Sequence, residues 1–169
     1  MIRPENTPKQ VSRALVAQFN EFCELNALIG LIQADYMCIK CSDADIYEGR
    51  RLEYEEVSSF MYQSLVSGRR VALFRLTESI ATKVGDIKYL MLCDQKSDGS
   101  QDDRVAYFEV VATPGNYETV VEKLKAREVP VKETVRPHFT SYDATLPTGF
   151  TVRIAKEAII DKIKREEVV

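Results

Sequence analysis

Asp35-Tyr36-Met37-Cys38-Ile39-Lys40-Cys41 and, further on, Val105-Ala106-Tyr107-Phe108-Glu109-Val110-Val111-Ala112 are the two stretches on which the reading of this chain turns. Each is rich in residues that suit a pleated surface and reads as a strand. Each is followed by residues that open a helix: Ser42-Asp43 after the first, Thr113-Pro114-Gly115-Asn116 after the second. A side-chain oxygen at Ser42 or Asp43 can accept from the first free N–H groups of a helix, so a helix is expected from there to about Glu56. The second turn leads into a helix expected to run through Ala126.

Working outward, the same order recurs. Residues 60–66 and 70–77 are apolar runs around Ser67-Gly68-Arg69, a short glycine-containing connection that suits a hairpin, and 87–93 is a further strand. The polar stretch 94–103 follows, with Lys96-Ser97-Asp98-Gly99-Ser100 as the best linker in the chain. Past the second helix, 131–140 reads as an extended run, 143–148 as a turn and 149–154 as a last strand. Pro8 opens an amphipathic helix with Val11, Leu15, Phe19 and Phe22 on one stripe, and 156–167 forms a terminal helix with Ile159, Ile160 and Ile163 on one face. The expectation is an α+β chain of one domain, 1–169, in which two βαβββ modules, about 34–94 and about 104–155, are flanked by N-terminal and C-terminal helices.

Composition narrows the function classes. A net charge of −3, from 23 basic and 26 acidic residues spread along the chain, offers no concentrated positive surface for a phosphodiester backbone, so nucleic acid is a poor partner. Arg50-Arg51 and Arg69-Arg70 are the local basic pairs and read as solvated surface. Residues 1–10 are polar with two prolines and have no apolar signal core, and no later run has membrane-spanning length; a soluble intracellular protein is expected. The four cysteines are too few and uneven for a secreted disulfide framework, so free thiols are expected.

The chain resembles the bacterial YecM family of the vicinal oxygen chelate superfamily, which includes glyoxalases and extradiol dioxygenases. The likeness runs from about Leu25 to Glu167 and is carried by Ala34-Asp35-Tyr36, by Gly68-Arg69-Arg70-Val71-Ala72-Leu73-Phe74-Arg75-Leu76, by Tyr107-Phe108-Glu109-Val110 and by Thr148-Gly149-Phe150-Thr151-Val152-Arg153-Ile154. The resemblance implies that the two modules form one cupped sheet whose concave side holds a small molecule, often beside a divalent metal bound by His and Glu side chains from four strands. Here the sequence departs from that pattern. Tyr36 stands where His typically follows Ala-Asp, Tyr107 where His precedes the acidic residue, and the last strand of each half offers Met91 or its neighbours and Arg153. A neutral phenol, a thioether and a guanidinium are poor or impossible ligands for a hard divalent ion, so no metal and no cofactor are expected.

Strand alternation places Met37, Ile39 and Cys41 on one face and Tyr36, Cys38 and Lys40 on the other. The same parity puts Ala106, Phe108, Val110, Val152 and Ile154 against the helices, leaving Tyr36, Lys40, Tyr107, Glu109 and Arg153 to line the cup. This set either binds a small organic anion through Arg153 and Lys40, with ring contacts from the tyrosines, or closes into a polar network in which Glu109 pairs with Arg153 or Lys40. The first reading is a metal-independent binding protein, or a weak isomerase or lyase with Glu109 as base, Arg153 as anion clamp and Tyr36 or Tyr107 as proton donor. The second is a catalytically silent copy of the fold acting in a homodimer or larger assembly. A third moves the metal ligands to Glu109, His138 and an Asp. His138 is the single histidine and cannot make a two-His site. Cys38-Ile39-Lys40-Cys41 has the spacing of a redox or zinc motif, but on a strand its two sulfurs point to opposite faces.

Overall fold

The computed structural model of the chain describes residues 8–66, 68–137 and 139–167, with side chains described within 13–165. In order the elements are α1 (Pro8–Leu25), β1 (Ile32–Lys40), α2 (Ala44–Glu56), β2 (Ser58–Val66), β3 (Arg69–Ile80), β4 (Ile87–Cys93), β5 (Arg104–Ala112), α3 (Tyr117–Ala126), β6 (Val131–Val135), β7 (Thr140–Thr145), β8 (Thr151–Ala155) and α4 (Ile159–Glu167). The strands form one sheet in the order β2-β3-β4-β1-β5-β8-β7-β6. Within each half the last strand returns parallel to the first, β4 beside β1 and β8 beside β5, and antiparallel pairing of β1 with β5 joins the halves. This is the α+β arrangement of two βαβββ units.

Local chemistry explains most boundaries. The Asp43 side chain accepts from the Ile46 N–H at 2.9 Å and caps α2. Gly68, at φ +78°, takes the left-handed conformation that the tight β2–β3 connection needs. One expectation fails in the second half. The run 131–140 is two strands, β6 and β7, and the reversal lies at 136–139, where the Arg136 N–H donates to the Phe139 carbonyl at 2.9 Å. Pro137 cannot donate to a ladder, so the chain turns there, and 143–145 belongs to β7 instead of a turn.

One face of the sheet packs on α1, α2 and α3 through a core that includes Phe19, Met37, Ile39, Phe74, Leu90, Phe108, Val120 and Ile154. Phe108 sits at its centre, edge-on to Phe19 at 5.4 Å and to Phe150 at 5.0 Å between ring centroids. The other face carries Tyr36, Cys38, Val71, Leu73, Tyr89, Cys93 and Tyr107, and α4 packs on it through Ile159, Ile160 and Ile163. Two bulges adjust the alternation. The β1–β5 register shifts between Ala34 and Tyr36, and again between Cys38 and Ile39. The first leaves Asp35 as an extra residue and the second leaves Ala106, so Ala106 packs with the α4-side cluster while Val105 packs on the helix side, contrary to strict parity.

The basic pairs are not wholly solvated surface, although Arg51 does pair with the exposed Glu48 and Glu55 on α2. Arg50 is 8% exposed, with Nη1 3.8 Å from Asp103 Oδ1, and Arg70 bonds Asp94 at 2.8 Å and also Glu48. The polar segment after β4 is pinned as well. The Gln101 amide donates to the carbonyls of Cys41 at 2.6 Å and Asp94 at 2.8 Å, and Asp103 accepts from the Ser42 N–H at 2.8 Å and hydroxyl at 2.7 Å. The solvent-exposed stretch 96–100 read as the linker is thus flanked by residues that tie the two halves together. Among the described residues, no helix is long and apolar enough to cross a membrane.

Candidate functional site

Strand register lays a row of side chains across the middle of the sheet: Arg75, Tyr89, Tyr36, Glu109, Arg153 and Asp143 stand opposite one another on β3, β4, β1, β5, β8 and β7. The adjacent row on the same face runs Tyr62, Leu73, Met91, Cys38 and Tyr107. Over these rows lies α4. Its first N–H group, on Ile159, donates to the Asp35 carboxylate at 2.8 Å, so the bulge in β1 supplies the cap that starts the helix at Ile159 instead of 156. Burial, as the leading cause, pushes the Asp35 carboxyl up to about 6, although the Ile159 N–H pulls the other way.

Between α4, the β6–β7 turn and the sheet is a cavity of about 300 Å³. Its floor is Tyr36, Tyr107, Met91 and Cys93, its walls include Val71, Leu73, Ile159 and Ile163, and its charged lining is Arg69, Arg136, Arg153 and Lys162. Those cations come from β3, the reversal after β6, β8 and α4. No Asp or Glu is among the described lining residues.

The two phenols meet at the centre, with Tyr36 Oη 3.2 Å from Tyr107 Oη and the rings edge to face at 5.9 Å. The Arg153 guanidinium stacks on the Tyr107 ring at 3.9 Å and bonds Asp143 through Nε at 2.8 Å and Nη2 at 3.3 Å. Glu109 lies beneath, 7% exposed, in register with Tyr36 across β1–β5. Burial pushes its carboxyl up to about 7, against the nearby Tyr36 hydroxyl and the Arg153 charge, which hold it down. Burial also raises both phenols, and for Tyr36 the negative charge of Glu109 adds to it. The phenols are therefore neutral donors near pH 7.

Of the five residues expected to line the cup, Tyr36, Tyr107 and Arg153 do; Glu109 and Lys40 do not. Lys40 is at the end of β1, where burial depresses its ammonium and its charge acts on Cys38 and Cys93. Arg153 pairs with Asp143 across β7–β8, not with Glu109, because Asp143 is its in-register partner and sits nearer the rim. Sequence reasoning missed Arg69, Arg136, Lys162 and Phe139. The one signal was strand alternation at Arg69-Arg70, which sends Arg69 to the cavity and Arg70 to Asp94 and Glu48. Phe139 lies between the Arg136 guanidinium at 4.8 Å and the Lys162 ammonium at 3.2 Å from its ring centroid. His138 lies outside the described residues.

Phe19 and Phe22 of α1 are in the core, and Ile159 of α4 is against the sheet. Cys38 and Cys41 point to opposite faces and pack in different clusters, whereas Cys93 is not isolated, its sulfur lying 3.7 Å from that of Cys38. No group of three or more His, Cys, Asp or Glu side chains able to hold a metal occurs among the described residues.

Comparison with solved structures finds the same fold. A protein solved by structural genomics as protein EC4020 superposes with a TM-score of 0.68 at 19% identity, over 98% of this chain and 97% of that one. Homoprotocatechuate 2,3-dioxygenase from Arthrobacter globiformis matches with a TM-score of 0.50 at 17% identity, over 76% of this chain and 37% of its own. For 2,2',3-trihydroxybiphenyl 1,2-dioxygenase from Sphingomonas wittichii strain RW1 the values are 0.51, 14%, 76% and 41%. The chain thus spans well under half the length of these extradiol dioxygenases of the vicinal oxygen chelate superfamily, and identities this low speak to fold alone. A comparison with curated proteins found no match. The family described as YecM protein matches across both halves, from residue 12 to residue 158, and with the cupped sheet now in view the chain belongs to the YecM family.

Proposed function

We propose that the cup binds a small organic anion without a metal ion. The observation that carries this is the lining of the cavity: four cations from four separate segments, with no carboxylate among the described lining residues. Cations converging on a concave, partly apolar space favour an anion there, and the low-dielectric walls strengthen the attraction. Arg69 donates to the neutral Gln101 side chain and to the Asp94 carbonyl, and these partners leave its charge uncompensated. Val71, Leu73, Ile159 and Ile163 suit an apolar body, so the ligand class is a carboxylate or phosphate on a small apolar frame.

The donor set supports the absence of a metal from this chemistry. At the four strand positions where the superfamily pattern places His and Glu stand Tyr36, Tyr107, Met91 and Arg153. The phenols are bonded to each other and kept neutral, Met91 offers a soft uncharged sulfur, and Arg153 is a cation with no lone pair to give. A divalent ion would add charge to a space already cationic.

An isomerase or lyase activity would use the same groups. Glu109, raised to about 7, would take a proton through Tyr36, with Tyr107 facing the ligand and Arg153 holding its anionic end. The test is a thermal-shift screen of untagged protein with small carboxylates and phosphates, with and without divalent metals, alongside metal analysis. A shift given by one class of acids and lost in Arg153→Met is expected; stoichiometric metal, or a shift that requires metal, would overturn the reading.

A second reading, a silent assembly subunit, is favoured by the β2 edge strand, where Phe60 is 44% exposed and Leu65 73%. An unpaired apolar edge is a template for pairing with another chain. Monomeric behaviour at high concentration would count against it.

A further inference from the structure

Cys38 and Cys93 are on adjacent parallel strands, β1 and β4, and both face the side of the sheet covered by α4. Their sulfurs are 3.7 Å apart, within thiol hydrogen-bonding distance. Cys93 is 5% exposed overall, yet that surface opens into the cavity, whose floor it forms with Met91 and the tyrosines. The charges of Arg69, Lys40 and Arg153 bear on its sulfur. An electropositive, partly accessible position with a donor beside it is where a thiol ionises and becomes a nucleophile.

We infer that Cys93 is a thiolate nucleophile in the floor of the cavity, with Cys38 as its hydrogen-bond donor, and that it captures small carboxylic acids bearing an electrophilic carbon. The hydrogen bond from Cys38 is the first cause drawing the Cys93 thiol below its ordinary value, opposed by burial and aided by Arg69, Lys40 and Arg153; Cys38 is pushed up correspondingly. The other two cysteines are the internal contrast. Cys23 and Cys41 are buried on the helix side, and burial pushes each up to about 12. The acid class rests on the anion reading of the same cavity.

The chemistry balances simply. With an unsaturated acid, the Cys93 sulfur forms a bond to the β-carbon, the carbon–carbon π pair moves to the α-carbon, and water supplies the proton there. With a halogenated acid such as iodoacetate, the carbon–sulfur bond forms as the carbon–iodine bond breaks and iodide leaves. In both cases the carboxylate is held among the cations that line the cavity. A neutral reagent of the same size, iodoacetamide, has no such hold.

The experiment is brief alkylation of the native full-length chain at pH 7.5 with iodoacetate or iodoacetamide, followed by unfolding, capping of the remaining thiols with a second reagent, and peptide mass spectrometry of all four cysteines. Cys93 is expected to react at least tenfold faster than Cys23 and Cys41, and its preference for iodoacetate over iodoacetamide is expected to exceed that of the unfolded chain. Cys38→Ala should slow Cys93, and Arg69→Met should remove the preference while leaving a folded protein. A Cys93 no faster than Cys23 and Cys41, or one without the preference for iodoacetate, would overturn the inference. The acid-induced thermal shift is measured in parallel on Cys93→Ser: a retained shift beside an inert Cys93 in the unaltered chain rejects the nucleophile and spares the anion cavity. Absence of the shift from the unaltered chain rejects the cavity reading itself.

Discussion

The two halves of the cup are built on one frame and furnished differently. In the first half, β1 and β4 present Tyr36 and Met91; in the second, β5 and β8 present Tyr107 and Arg153 at the corresponding places. The tyrosines meet where the halves join, 3.2 Å apart, but the flanks diverge. Around Met91 the lining is Val71, Leu73 and Cys93, apolar or thiol, and its nearby cation Arg69 is anchored by neutral groups. Around Arg153 the surroundings are polar, with Asp143 holding the guanidinium, Tyr107 beneath it and Glu109 behind. Parallel return of the last strand beside the first sets where a side chain stands; its chemistry is then free to differ between the halves.

That comparison can be broken first at what the halves share. Phe108 anchors the helix-side core at the junction, and Phe108→Ala should lower unfolding stability by about 3–5 kcal/mol, read from denaturant midpoints. A loss below about 1 kcal/mol would mean that the frame does not depend on a core common to both halves.

The next effect separates the halves. Arg153→Met should weaken binding of a small acid at least tenfold, about 1.4 kcal/mol, in titration calorimetry. Met91→Leu, a near-isosteric change in the other half, should leave acid binding alone and cost less than about 1.5 kcal/mol of stability. Equal losses of binding from the two would show the flanks to be equivalent.

A third effect is on pH dependence. Burial raises Glu109 to about 7 from its ordinary 4.5, so the folded chain holds this proton more tightly than the unfolded one. Stability from this group is fully present below pH 4.5 and is lost as pH rises through about 7. Glu109→Gln, which mimics the protonated form, should therefore melt progressively higher relative to the unaltered chain between pH 5 and pH 8. A constant difference across that range would show that Glu109 titrates as it does in water.

Much of this was readable from residues alone. The strand-then-helix order repeats at Asp35 and at Val105, the stops at Ser42-Asp43 and Pro114-Gly115 are local chemistry, and alternation correctly sets Met37 and Ile39 against Tyr36 and Cys38. These signals act over a few residues, and backbone sterics make them nearly context-free. The reversal at Pro137 was missed because Thr140–Thr145 is too polar to announce a strand, and only pairing with β6 and β8 makes it one.

The site was decided elsewhere. Tyr36 and Tyr107 are far apart in sequence and meet because β1 and β5 pair; Cys38 and Cys93 meet because β4 returns beside β1. Bulges at Asp35 and Ala106 re-aim residues that a strict two-residue period misplaces, and Asp35 thereby gains the cap of α4. With α4 folded onto the sheet, Lys162 joins Arg69, Arg136 and Arg153 around one space. The sequence by itself determined the elements and which residues share a face, because those depend on neighbours along the chain; only the tertiary structure decided which charges and thiols confront one another, because strand order and helix docking depend on the whole fold at once.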